Sequence, residues 1–436
     1  MRDFTKKILL FILSLIVLVF TPSTNSFAVT TTTAAVTFST SSSSFKLNNN
    51  YPIVMVHGLF GWGNDELFGI NYWGGQNSLK DMLTKDGYTV FTPTIGSISS
   101  NWDRACELYA YLKGGTVDYG EEHSKKSGHS RYGRTYSGAY PELGNSDENG
   151  LKKIHLIGHS MGGETIRVLA QLLENGDPDE IKYNTTDINP LFAGNHHWID
   201  SITTIATPHD GSQEDEKQNN LEPFFHQFFA TMAGSTGVID STNPCFDFKM
   251  DQWGLKKQSD ESLDSYAKRV FSSNIWRKTK DLSIWDLSQE GAKELNSWVK
   301  AQSDIYYFSI SCLDTHKDLL TNHQIPNINM NPLLIKSSIF MGQYTNNTAG
   351  KVQVDSSWWP NDGIVSVRSA IAPHEGSTDK IVDYNSNSPQ KGVWNYMGKI
   401  NNVNHLEVVS QQDPIYQKSL QNRFIDLAKM LNELPL

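Results

Sequence analysis

Short, largely apolar runs set the rhythm of this chain. Residues 52–56 read Pro-Ile-Val-Met-Val, 154–157 read Ile-His-Leu-Ile, and 201–206 read Ser-Ile-Thr-Thr-Ile-Ala. The run at 52–56, continuous and without alternation, is the pattern of a strand covered on both faces, and the other two read as further strands. Each stops at a turn signal: His57-Gly58-Leu59, Gly158, and Thr207-Pro208-His209-Asp210-Gly211. A fourth run, Ile364-Val365-Ser366-Val367, follows the turn Asn361-Asp362-Gly363 and reads as another strand. A helix-like pattern opens at Met161 and ends near Gly176. Strands alternating with helical segments predict an α/β fold with a mostly parallel central sheet flanked by helices. In such sheets the chemistry gathers beyond the carboxyl ends of the strands, which makes the turns the places to search.

The polar and apolar pattern also divides the chain. Lys6 and Lys7 precede an apolar run over 8–20, too short to span a bilayer comfortably, and Ser26-Phe27-Ala28 offers a small-x-small cleavage site. Residues 1–28 therefore predict a secretory signal peptide, with no transmembrane anchor once it is removed. Residues 29–50, rich in Ser, Thr and Asn, cannot bury enough apolar surface to order themselves and predict a flexible leader. Residues 51–436 are read as one elaborated domain, although the length of 436 also fits two or three. Cys106, Cys245 and Cys312 permit one disulfide at most, so a large apolar core must carry stability. A net charge of −10 without a basic run excludes nucleic acid and electrostatic docking on anionic lipid. Contact with a lipid droplet or emulsion surface would have to be apolar. Asn184 and Asn346 head N-x-Thr acceptors, which agree with export and are candidate glycosylation sites.

The candidate chemistry centres on Gly158-His159-Ser160-Met161-Gly162, a G-x-S-x-G pentapeptide between a strand and a helix. A serine on so tight a turn is pushed out of the sheet edge as a nucleophile. It needs an imidazole to take its proton and a carboxylate to hold that imidazole. The fold supplies these in the order Ser, Asp, His, and the choices here are Asp362 and His405. Asp314, Asp355 and Asp383 remain rival acids, and His316, His323 and His374 rival bases. His209-Asp210 is a further, less favourable pair. Two backbone N–H groups must receive the oxyanion, and those of Leu59 and Met161 stand at the required turns.

A different pattern occupies the region of about 211–250. After a polar run, Phe224, Phe225, Phe228 and Phe229 pair at helical i,i+4 spacing. An amphipathic helix this aromatic fits a lid that covers a cleft in water and rotates onto a lipid surface. A helix packed permanently on the core has the same signature.

Taken together with His57-Gly58-Leu59-Phe60-Gly61-Trp62-Gly63, Tyr72-Trp73-Gly74-Gly75, Ser100-Asn101-Trp102-Asp103-Arg104-Ala105 and Asp251-Gln252-Trp253-Gly254-Leu255, these motifs resemble the thermoalkalophilic bacterial lipases of the Geobacillus and staphylococcal type. The resemblance runs from about Tyr51 to the C-terminus. It implies an α/β-hydrolase fold, a triad of Ser160, Asp362 and His405, and hydrolysis of acylglycerol esters. It also implies a structural zinc ion at Asp103, His123, His129 and Asp251, a set whose two nitrogens and two oxygens suit tetrahedral zinc. A calcium ion is implied at Glu407 and Asp413, with backbone carbonyls that include Pro414, since hard oxygen ligands suit it. The elbow departs from the family, which often has Ala before the His and Gln after the Ser. Phospholipase or acyltransferase chemistry would use the same triad, and a catalytically silent binding module would keep the cleft alone.

Overall fold

The apolar runs form strands because their burial is complete. In the computed structural model, which describes residues 49–64, 66, 71–75, 77–148, 150–183, 187–213, 246–410 and 414–436, the strands are these. β1 (Ile53–Val56) and β2 (Val90–Phe91) come first. The ribbons β3 (Gly115–Asp118) with β4 (Tyr132–Tyr136) and β5 (Ser146–Asp147) with β6 (Gly150–Leu151) follow. Next are β7 (Ile154–His159), β8 (Ile199–Ile205) and β9 (Tyr306–Leu313). A third ribbon, β10 (Thr315–Lys317) with β11 (Gln324–Pro326), precedes β12 (Ile381–Asp383) and β13 (Trp394–Asn401). Residues 1–48, the aromatic lid segment with Phe224, Phe225, Phe228 and Phe229, Asn184 and Asp413 all lie outside the described residues, whereas Asn49, read as leader, is buried and donates its side-chain amide to the Leu431 carbonyl at 3.0 Å.

Seven strands join in the order β12-β13-β9-β8-β7-β1-β2, and every neighbouring pair is parallel. Every residue of β1, β7 and β8 is buried. Alternate residues of β1 supply the two faces, Val54 and Val56 to one apolar cluster, Ile53 and Met55 to the other. The first face is covered by the helices Asn101–Lys113 and Met161–Asn175, through Leu108, Leu112, Ile166, Leu169 and Leu173. The second is covered by the helices Leu79–Lys85 and Pro414–Asn432, through Leu83, Leu420, Phe424, Leu427 and Leu431. Each such side chain contributes about 1.5–3 kcal/mol on burial. That is where the stability resides, since Cys106 and Cys312 are free and buried. β8 is polar in sequence yet central, and two of its three hydroxyls have partners: Ser201 Oγ meets His155 Nδ1 at 2.8 Å and Thr204 Oγ1 meets His209 Nε2 at 3.0 Å, while that of Thr203 is buried without one.

The expected strand at 364–367 does not form. Asp362 Oδ1 accepts the N–H groups of Ile364 and Val365, at 3.0 and 2.7 Å, and so takes donors that a ladder would need. The chain turns instead into the short helix Val367–Ile371. β9 brings the main chain into this region, and the Asp314 N–H that follows it donates to the Asn361 carbonyl at 2.9 Å.

Candidate active site

Parallel register aligns the ends of the central strands. Val56 pairs with Gly158, and His159 pairs with Ile205, so the turns after β1, β7 and β8 open on one edge. Ser160 stands between β7 and its helix with φ 55° and ψ −133°, a conformation rarely adopted by a residue with a side chain. The turn closes only because its neighbours lack side chains. A Cβ on Gly162 would lie 2.2 Å from the Val56 carbonyl oxygen, and one on Gly158 2.5 Å from Gly163 Cα.

Three side chains from distant parts of the chain meet there. His405 Nε2 lies 2.9 Å from Ser160 Oγ, and His405 Nδ1 lies 2.9 Å from Asp362 Oδ2. With Nδ1–H donating to the carboxylate, Nε2 is left to accept the serine proton. The Asp362 carboxylate is positioned by the Ile364 and Val365 N–H groups, and the His405 N–H donates to the Asp362 carbonyl at 2.9 Å. The group is nearly dry, with Ser160 8%, His405 3% and Asp362 1% exposed.

Two backbone donors flank the serine. Met161 is the first residue of its helix, so its N–H has no intrahelical acceptor. Leu59 follows Gly58 in the turn beyond β1. That turn passes so close that a Cβ on Gly58 would sit 2.7 Å from Ser160 Cβ.

A second histidine braces the first, a role sequence reasoning did not assign. His159 Nε2–H donates to the His405 carbonyl at 3.0 Å, which leaves Nδ1 to accept from the Tyr72 hydroxyl at 2.5 Å. The Tyr72 oxygen in turn accepts the Gly58 N–H at 2.9 Å. Burial, aided by the charge of His405, holds the His159 pKa well below the usual imidazole range, so His159 acts as a neutral link. Tyr72 thereby ties the turn carrying Leu59 to the loop carrying His405. His209 and Asp210 face elsewhere: His209 meets Thr204, and Asp210 accepts the His374 and Glu375 N–H groups, each at 2.8 Å.

The candidate metal set assembles with one change of member. His123 Nε2 lies 3.2 Å from Asp281 Oδ2 and 3.5 Å from Asp103 Oδ1. His129 Nε2 lies 3.0 and 3.7 Å from the same two oxygens. The fourth member is therefore Asp281 and not Asp251. Both oxygens of Asp251 are taken by Arg134, at 2.8 and 3.0 Å, which turns that carboxylate away. The segment around Asp251 supplies the surroundings instead: Gln252 donates to Asp103 Oδ2 at 2.7 Å and Trp253 packs edge-on against His129 at 4.8 Å. The donor chemistry fits a cation. Asp103 Oδ1 is buried with no hydrogen-bond partner, and His129 Nδ1 donates to the Ser130 carbonyl at 2.8 Å, leaving Nε2 as the free ligand atom. Burial alone would lower the His123 pKa, but Asp281 and Asp103 outweigh it and push it up to about 10.

Glu407 lies two residues past His405, and burial pushes its carboxyl up to about 7, with Asp314 nearby adding to the rise. Pro414 begins the last helix. Asn346 lies in a bridged turn, its N–H donating to the Val354 carbonyl at 3.0 Å. Among the described residues no helix is long and apolar enough to cross a membrane.

Comparison with known proteins finds similarity to bacterial lipases. A family model described as the lipase-like, C-terminal domain matches residues 49–433. Lipase 1 of Staphylococcus aureus is 39% identical over 370 residues, covering 83% of this chain and 51% of that protein. The chain thus spans about half the length of the curated relatives it matches. Among solved structures, EstA from Clostridium botulinum superposes with a TM-score of 0.83 at 45% identity, covering 90% of both chains. Lipase 1 from Pelosinus fermentans gives 0.78 at 48%, covering 86% of this chain and 98% of that one.

Proposed function

This chain belongs to the lipase-like, C-terminal domain family of bacterial lipases, and from that premise we propose that it is a serine-dependent carboxylic ester hydrolase acting on acylglycerols. The observation that carries the reading is the unbroken line Ser160–His405–Asp362, with both links at 2.9 Å. His405 takes the proton of Ser160 as the hydroxyl attacks the ester carbonyl, while Asp362 keeps Nδ1 protonated and the ring aligned. The oxyanion is received by the Leu59 and Met161 N–H groups. His405 then protonates the departing alcohol, and water, deprotonated by the same ring, releases the fatty acid from Ser160.

Asp103, His123, His129 and Asp281 would hold a zinc ion, whose four-ligand shell would stabilise the fold rather than meet substrate. Glu407, together with Asp413 and the Pro414 carbonyl, would hold calcium. Export fits the Lys6-Lys7 and apolar 8–20 pattern.

Action at a lipid surface is supported by the β10–β11 hairpin. It is rooted beside the triad acid, where Thr315 Oγ1 accepts the Asn361 N–H at 3.2 Å. Its tip and the loop after it present Leu319, Leu320 and Ile328 at 93%, 92% and 98% exposure. Replacing all three by Ser should weaken adsorption to emulsions by about a hundredfold, each lost aliphatic group being worth of order 1 kcal/mol. Hydrolysis of a dissolved short-chain ester should be unchanged, and equal losses on both substrates would remove the hairpin from the lipid contact.

Tyr72→Phe should lower kcat about 30-fold on a dissolved ester with KM unchanged, since it removes both positioning hydrogen bonds of the hydroxyl, to His159 and from Gly58, each worth about 1 kcal/mol. An unaltered kcat would confine Tyr72 to packing. The reading as a whole is tested by fatty-acid release from a triacylglycerol series spanning the solubility limit. Release should rise above that limit, and an enzyme active only on phospholipid or in acyl transfer would fail on every member.

A further inference from the structure

A second group of metal-type ligands lies at the opposite end of the sheet from Ser160, and no part of the hydrolytic reading uses it. Glu174 is in the last turn of the Met161–Asn175 helix, His197 is in the loop that enters β8, and Asp304 is in the turn before β9. β8 and β9 are paired with Ser201 opposite Tyr306, so the two entering segments arrive side by side. The Asn195 N–H donates to the Glu174 carbonyl at 2.9 Å and pins the loop against the helix end. We propose that Glu174, His197 and Asp304 form a second divalent-cation site, with one imidazole and two carboxylate ligands, that ties the end of this helix to the starts of two central strands.

The charges call for a cation there. His197 Nδ1 lies 2.6 Å from Glu174 Oε2 and 3.1 Å from Asp304 Oδ2, so a single ring is shared by two carboxylates. Even protonated, it neutralises only one of them. The Glu174 side chain is 5% exposed, and its other oxygen, Oε1, is buried without a hydrogen-bond partner. A carboxylate also sits badly at a helix C-terminus, where the macrodipole is negative.

The geometry admits an ion with a small movement. The three ligand atoms lie within 4.8 Å of one another, and His197 is 58% exposed at its side chain. Withdrawing that ring by about 1 Å makes room for bonds of about 2.1 Å, and water can complete the shell. The mixed nitrogen and oxygen donors favour zinc or a similar transition-metal ion over calcium.

Zinc titration of the untagged, chelator-stripped full chain by calorimetry tests this. Wild type should take up about two equivalents, with about one lost in both His197→Ala and Glu174→Gln, and Asp281→Ala should retain the equivalent that those variants lose. His197 is exposed enough that its removal should leave the far-ultraviolet circular dichroism unchanged, so the loss can be read in a folded protein. One equivalent in wild type, unaltered in His197→Ala, would make the cluster an ion pair and overturn the proposal. Two equivalents in both proteins would place the second ion elsewhere and overturn it equally.

Discussion

Ser160→Ala is expected to reduce kcat by about 10⁶-fold on a dissolved ester, the scale seen when a triad nucleophile is removed. The substitution deletes only Oγ, and alanine carries the same Cβ through the φ of 55° that serine already adopts, so the elbow should survive. His405 and Asp362 would remain hydrogen-bonded to each other, but the ring would have no hydroxyl to activate. What persists is binding and the two backbone donors, which leave about 10³–10⁴-fold over water. The check is product release at saturating substrate together with the thermal midpoint of the variant. Residual activity above about a hundredth of wild type in the purified variant would exclude Ser160 as nucleophile, since binding and the two backbone donors alone do not approach that level. Gly158→Ala is the contrasting control: its Cβ would fall 2.5 Å from Gly162 C and Gly163 Cα, so it should damage folding and activity together.

The contrast explains which parts of the molecule were legible in sequence. Ser160 was legible because the elbow is local: strand, glycines, nucleophile and helix are contiguous, and the steric demand at Gly158 and Gly162 is written in the same five residues. β1 and β7 announced themselves as apolar runs. The run at 201–206 also reads as a strand, but its sequence does not show which groups answer Ser201 and Thr204 in the core, because His155 and His209 are brought to them by the fold. Ile364-Val365-Ser366-Val367 misled. Its β-branched residues suggest a strand, but the Asp362 side chain takes the first backbone donors. Tyr72 lies 87 residues from His159 and has no motif that reveals the contact. The metal cluster shows the same limit. The DQWGL segment does reach the cluster, through Gln252 and Trp253, yet its acid is claimed by Arg134, and the aspartate that enters comes from an unremarkable turn thirty residues on.

That exchange of aspartates makes the second large effect a paired one. Asp281→Ala should abolish high-affinity binding at the Asp103–His123–His129 cluster, while Asp251→Ala should keep it. Loss of a directly bonded ligand should exceed the 10–100-fold that outer-shell partners typically command. With the ion at a thousand times its Kd, occupancy is worth about 4 kcal/mol of stability, so the holo-protein's unfolding midpoint should fall clearly in Asp281→Ala. The loss has a second source: removing Asp281 leaves His123 and His129 facing Asp103 alone in a buried site, an incompletely compensated arrangement of charge. Asp251→Ala also does harm, because it frees Arg134, but Asp247 still accepts from that guanidinium at 3.1 Å and softens the cost. Chelation distinguishes the two mechanisms. It should lower the midpoint of wild type and of Asp251→Ala, and shift Asp281→Ala much less, because that variant has lost the ion at this cluster already. A chelator shift in Asp281→Ala as large as in wild type, or an ion retained there and lost in Asp251→Ala, would return the fourth position to Asp251 and require Arg134 to release it.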